Sequence, residues 1–185
     1  AKRAALTPNA IAFEDALTGR ALTYAELDDR AARVAAVLAT LGVAREDRVA
    51  ILCRNRIEFF EILFACGKLG AILVPLNWRA PATELASIMA DCTPRALVFG
   101  QEDAATAQSL VHTDLALLAL DDGYESVLAA ATPMRTDPRW PGDATYPAAE
   151  YHQRLVQHRR AVYQRERQNA EKAYADRDVK WWANR

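Results

Sequence analysis

Gly67-Lys68-Leu69-Gly70-Ala71-Ile72-Leu73-Val74-Pro75-Leu76-Asn77 joins the end of a helix directly to a buried strand. On its N-terminal side Asn55 and Glu58 have the spacing of a capping box, opening a helix that runs through Ile62 and Ala65 to about Leu69 and stops at Gly70. On its C-terminal side an apolar strand starts at once, over 71–76, with Pro75 near its end. Before this unit, 48–53 reads as another strand. Beyond it, a helix over 83–90 ends before Pro94, because the residue preceding a proline is pushed out of the helical region. A short strand over 96–99, a helix over 104–111 and a strand over 115–120 follow, and Asp121-Asp122-Gly123 then makes a turn. Apolar strands without strict alternation, separated by helices, give an α/β fold class: a largely parallel sheet flanked by helices on both faces.

Toward the N-terminus, Thr23 and Glu26 form a second capping-box pair, heading a helix that runs to Leu41. Leu27, Ala31, Val34, Leu38 and Leu41 recur along one side of it, and Gly42 is placed for the left-handed C-cap. Before it, Ile11 and Phe13 alternate with Ala12 and Glu14, and Thr18-Gly19-Arg20 turns the chain back to Ala21 and Leu22, the pattern of a short hairpin.

The 185 residues carry 51% hydrophobic and 25% charged side chains, so a disordered or collagenous chain is excluded and a buried core is affordable. The length suits one domain with an appendage. A net charge of −1 gives no general reason for binding nucleic acid or anionic membranes. That total conceals a division, because residues 151–185 carry about +5 and the preceding 150 about −6. Between body and tail, residues 132–150 hold four prolines and read as a linker or wrapping arm. Three cysteines without a Cys-x-x-Cys pair favour a reducing, cytoplasmic setting, and no apolar run approaches the roughly 20 residues that cross a bilayer.

Leu22-Thr23-Tyr24-Ala25-Glu26-Leu27, together with the stretch from Gly67 to Asn77, resembles the first two core motifs of the adenylate-forming (AMP-binding) acyl- and aryl-CoA synthetases. The likeness extends over about residues 6–131 and takes in Asp47-Arg48-Val49-Ala50 and the Asn55 to Phe64 helix. It implies a partial version of that fold, since the sequence resembles only the opening of a much longer protein. Family members convert a carboxylate and ATP to an acyl-adenylate, then usually transfer the acyl group to coenzyme A. The resemblance implies a Gly- and hydroxyl-rich phosphate loop, an acidic residue for magnesium and a mobile C-terminal domain bearing a lysine. None of these has a match here, and scattered glycines supply no succession of backbone N–H donors for phosphate. The expectation is that no cofactor is bound by this chain alone, with ATP, Mg and CoA entering only if a partner completes it.

Arg79 is the one residue that the resemblance places near a cofactor, because in some CoA ligases an arginine just beyond the second motif meets the phosphates of coenzyme A. The alternative is an exposed loop arginine beside a packed Trp78. Cys53, Cys66 and Cys92 lie in apolar surroundings that suit core packing better than nucleophilic chemistry. His112, His152 and His158 form no compact metal-ligand set, and Asp114, Asp121 and Asp122 suit turns. In the tail, Leu155, Val162, Ala170 and Tyr174 recur near heptad spacing, Tyr163 lies beside Val162, and Trp181 and Trp182 form an aromatic pair suited to anchoring an interface. We read residues 151–185 as a basic helical arm that docks on a larger protein subunit, with a solvated helix and a nucleic-acid arm as the alternatives. The body, over 1–131, and the arm together lead to a noncatalytic accessory or structural subunit. The enzyme-class alternative is the N-terminal portion of an ATP-dependent acyl- or aryl-CoA ligase completed by another chain.

Overall fold

A computed structural model describes residues 2–16 and 18–134, which belong to one compact unit spanning 1–136. The elements run α1 (Lys2–Leu6), β1 (Ile11–Glu14), β2 (Ala21–Thr23), α2 (Tyr24–Thr40), β3 (Arg48–Leu52), α3 (Ile57–Leu69), β4 (Ile72–Pro75), α4 (Ala82–Cys92), β5 (Ala96–Gly100), a single 3-10 turn (Gln101–Asp103), α5 (Ala104–Ser109), β6 (Ala116–Leu120) and α6 (Tyr124–Ala130). β1 and β2 pair as the expected antiparallel hairpin, and β3 to β6 form a parallel sheet in the order β4-β3-β5-β6. The α/β fold with a parallel core sheet is thus present. The predicted C-terminal helical arm lies outside the described residues.

Both faces of the sheet are covered. On one, Val49, Ile51, Ala96, Val98, Leu118 and Leu120 pack against α2, α3 and α6. On the other, Ala50, Leu52, Leu97 and Phe99 pack against Leu85 and Met89 of α4 and Ala107 of α5. Every residue of β5 is therefore buried, which explains an uninterrupted apolar strand in place of an alternating one. The hairpin has its own small core, where Phe13 stacks on Phe60 of α3 with ring centroids 3.9 Å apart.

Local chemistry sets the boundaries. Thr23 and Glu26 form the complete capping box, and Gly42 and Gly70 take positive φ values of 83° and 72°, the left-handed conformation that ends a helix at little cost only for glycine. The expected Asn55–Glu58 capping box does not form. α3 begins at Ile57 behind Arg56 with no side-chain cap, because Glu58 is drawn into ion pairs with Arg56 and Arg20. α4 runs two residues past the expected end, with Thr93 in the left-handed region just before Pro94. α1 and α6 are elements that the sequence reading did not anticipate. Asp121 accepts a hydrogen bond from the Gly123 N–H and turns the chain into α6, and the Met134 N–H donates to the Ala32 carbonyl of α2, so the body continues past residue 131.

The two edges of the sheet differ. The Ile72 and Leu76 N–H groups donate to Asp47 and Ile51 of the β3 side, so strand alternation turns Leu73 and Pro75 outward. Proline has no N–H, and this edge is blunted where a donor would otherwise project.

Candidate functional site

α3 leaves β3 over one face of the sheet and α5 leaves β5 over the other, although β3 and β5 are neighbours. In open α/β sheets the crevice outside the carboxyl ends of two such strands is where ligands bind. The loops here bring together Cys53 and Arg54 after β3, Asn77, Trp78 and Arg79 after β4, and Glu102 and Asp103 after β5. Asn77 accepts a hydrogen bond from the Arg79 N–H through its side-chain oxygen at 3.1 Å, fixing the turn that presents Arg79. The half-buried Trp78 ring carries two cations, with the Arg79 guanidinium carbon 4.0 Å and that of Arg54 4.7 Å from its centroid. Both guanidinium groups thus lie against one ring, and guanidinium is the side-chain cation best suited to pair with phosphate.

Asp103 is buried at this edge, and its Oδ2 has no hydrogen-bond partner among the described residues. Burial raises its pKa, the Glu102 carboxylate adds to the rise, and Arg54 opposes it. Burial pushes the Cys53 thiol up to about 11 and the Cys66 thiol up to about 12, and it raises Cys92 as well. None of the three is poised as a thiolate nucleophile near neutral pH.

A second polar cluster escaped the sequence reading altogether. The fully buried Glu61 of α3 accepts hydrogen bonds from Arg30 Nε at 2.7 Å and from the Tyr124 hydroxyl of α6 at 2.8 Å. Arg30 also donates to Glu125 at 2.7 and 2.8 Å, and Arg20 from the hairpin turn donates to Glu58 at 2.6 Å. Burial and the Glu61 charge raise the Tyr124 pKa, so its hydroxyl remains a donor. An open depression of about 830 Å³ lies beside Arg20, Arg30 and Glu125, but their charges are already matched to one another, so the cluster reads as a clamp between elements. Its members lie up to 105 residues apart, so no motif spacing could announce it; the one local signal is a pair of acids, Glu58 and Glu61, three apart at the start of an apolar helix.

Of the residues singled out from sequence, the structure places Arg79 in the carboxyl-edge crevice beside Arg54. Leu155, Val162, Tyr163, Tyr174, Trp181 and Trp182 lie outside the described residues, as do His152 and His158. His112 Nδ1 is 2.9 Å from the Thr113 carbonyl, and Asp114 occupies a turn with φ of 70°. Among the described residues no three His, Cys, Asp or Glu side chains gather at metal-binding distance, and no helix is long and apolar enough to cross a membrane.

Comparison with known proteins agrees with this architecture. A family model described as AMP-binding enzyme matches residues 1–171. A feruloyl-CoA synthase of an Amycolatopsis species is 44% identical over 109 residues, covering 59% of this chain and 22% of that protein. The long-chain-fatty-acid–CoA ligase FadD13 of Mycobacterium tuberculosis is 35% identical over 109 residues, with the same coverage. Among solved structures, the N-terminal domain of FACL13 from Mycobacterium tuberculosis superposes with a TM-score of 0.66 at 30% identity, covering 71% of this chain and 34% of that one. A long-chain-fatty-acid CoA ligase structure from Rhodopseudomonas palustris, described as putative, gives 0.63 at 35% identity, covering 72% and 36%. The chain thus spans about a fifth of the length of these curated relatives. With a parallel four-stranded sheet, both opening motifs on their expected elements and a family match over most of its length, this chain belongs to the AMP-binding enzyme family.

Proposed function

We propose that this chain supplies the opening α/β portion of an ATP-dependent acyl- or aryl-CoA ligase, acting with the remaining ligase parts on whichever polypeptide carries them. The observation that supports it is the 44% identity to a feruloyl-CoA synthase along a stretch that amounts to 22% of that enzyme. In this role α2, α3 and the parallel sheet are a scaffold, and Arg79, held over Trp78 with Arg54 alongside, contacts the phosphates of coenzyme A. ATP and magnesium meet groups outside these 185 residues, since the sequence holds no Gly- and hydroxyl-rich run to surround phosphates.

The second reading is a noncatalytic accessory subunit docked on a larger protein through Leu155, Val162, Tyr163, Tyr174, Trp181 and Trp182. The same missing phosphate loop motivates it, along with the charge reversal between residues 1–150 and 151–185.

A chimera separates the two. Replacing the matched 109 residues of the Amycolatopsis feruloyl-CoA synthase with those of this chain should preserve CoA-thioester formation. Arg79→Ala in the chimera should raise KM for CoA by about tenfold or more, the loss of one charge-assisted phosphate contact, while leaving adenylate formation unchanged. A folded chimera that makes neither adenylate nor thioester refutes the ligase reading and favours the accessory one.

A further inference from the structure

Arg20, Arg30, Arg33 and Arg56 each meet a carboxylate at 2.6–2.8 Å, and Arg48 is engaged by the Cys92 and Thr93 carbonyls. Arg54 and Arg79 differ. Both are exposed, and among the described residues neither guanidinium has an ion pair or a hydrogen bond. Both lie instead against Trp78 at the carboxyl edge of the sheet. Arg54 follows β3 and Arg79 follows β4, so the pair forms because the parallel register sets Ile51 beside Pro75 and the two loops leave the sheet side by side. Like charges at one ring repel, and at an exposed site attraction to the ring face offsets only part of that repulsion. An anion placed against both cations removes the rest and adds charge-assisted hydrogen bonds. Asp103 of the neighbouring loop feels the Arg54 charge, yet among the described residues it forms no ion pair with it, which leaves the guanidinium uncommitted.

We infer that Arg54 is a second phosphate-binding residue beside Arg79, and that it makes this site prefer a nucleotide bearing two separate phosphate groups over one bearing a single phosphate. The inference rests on the ligase reading above for the identity of the ligand, the nucleotide end of coenzyme A, and adds to that reading a residue and a discrimination. That end carries a 3′-phosphate as well as the 5′-diphosphate. One guanidinium pairs with one phosphate, so Arg79 by itself draws little distinction between the two kinds of nucleotide. A second uncommitted guanidinium gains a partner only when a second phosphate is present, and selectivity is that difference in affinity. Trp78 holds both cations at the edge before any ligand arrives, so less side-chain freedom is lost on binding than two free arginines would lose.

The test uses the full 185-residue chain and two probes, adenosine 3′,5′-bisphosphate and adenosine 5′-monophosphate, titrated at low ionic strength, where exposed charges are least screened. Binding is read from the indole N–H resonance of Trp78, which Trp78→Phe identifies by removing it. The bisphosphate should bind about fivefold or more tighter than the monophosphate, and Arg54→Gln should reduce that preference to about twofold or less. Arg54 is exposed, so this variant should keep the circular dichroism of the native chain. Equal affinity of the native chain for the two nucleotides overturns the inference. So does a preference that Arg54→Gln leaves unchanged, or a Trp78 resonance that the bisphosphate never moves. None of these readouts depends on catalysis, so the two failures separate. An active chimera together with no bisphosphate preference overturns the inference and leaves the ligase reading standing. A preference governed by Arg54, in a chain whose folded chimera makes no thioester, supports the site and overturns the ligase reading.

Discussion

Replacing Glu61 with alanine tests whether the buried clamp or the apolar core sets the stability of the body. Glu61 is fully buried and accepts from Arg30 Nε at 2.7 Å, Arg30 Nη2 at 3.2 Å and the Tyr124 hydroxyl at 2.8 Å. Removing one partner of a buried ion pair costs about 3–5 kcal/mol, because the other charge stays buried. Here Arg30 keeps two hydrogen bonds to Glu125, so its guanidinium is not stripped, and the expected loss falls in the lower half, about 3–4 kcal/mol. Tyr124→Phe deletes only a donor and leaves the ion pair, at about 1.5–3 kcal/mol for a hydrogen bond to a charged group. Both changes strike one bond, so the double variant should fall short of the sum of the two by about 1–2 kcal/mol. Urea unfolding followed by circular dichroism measures all three, and with a slope of about 1–3 kcal/mol per molar the Glu61→Ala midpoint should drop by about 1–4 M. A Glu61→Ala loss below about 1 kcal/mol, or additivity of the pair within about 0.5 kcal/mol, would show that solvent or rearrangement replaces the contacts and that the clamp argument is wrong.

Acid should weaken the same region. Burial pushes the Glu58 carboxyl up, but hydrogen bonds from Arg56 and Arg20 outweigh it and hold the pKa below the ordinary value; for Glu125 the hydrogen bond from Arg30 is the leading cause of the same depression. A depressed folded-state pKa gives stability that is present above the unfolded value, about 4.3, and lost as pH falls through the folded value. The urea midpoint should therefore hold between neutrality and about pH 5, then fall below about pH 4.3, with a shallower fall in Glu58→Gln. Two glycines should respond in opposite directions to alanine. At Gly42 the φ of 83° opposes the change, for a loss of about 1–2 kcal/mol, while the Arg95 guanidinium 2.9 Å from a new Cβ is the tip of a flexible side chain and can swing aside; Gly67 lies inside α3 with open space around it, and Gly67→Ala should stabilise by about 0.5–1 kcal/mol, so thermal melts that rank the two variants the other way would contradict this account.

Much of the scaffold was legible because its causes are local. Thr23 and Glu26 satisfy each other's backbone N–H groups within four residues, and Gly42 and Gly70 are read from the conformation that a helix end demands. The same reasoning misplaced the start of α3, because Glu58 has a better offer from Arg20, 38 residues away, than from its own helix terminus. α6 was missed although Tyr124 and Leu128 are spaced as one helical face, since Asp121-Asp122-Gly123 reads equally well as the end of an element and as the start of the next. Of the candidate site, Arg79 could be named from its place after the second motif. Arg54 could not, because its approach to Trp78 depends on β3 and β4 lying side by side.

The alternation of strands and helices, most helix ends and the likeness to a family follow from local sequence, since hydrophobic period, capping pairs and glycines act over a few residues. The strand order, the clamp around Glu61 and the difference between the β4 and β6 edges arise from long-range packing. Those depend on which strands become neighbours and on which way each backbone N–H then points. Pro75 and Ala119 show this clearly, for both occupy outward positions on edge strands, yet one withholds a donor and the other offers it.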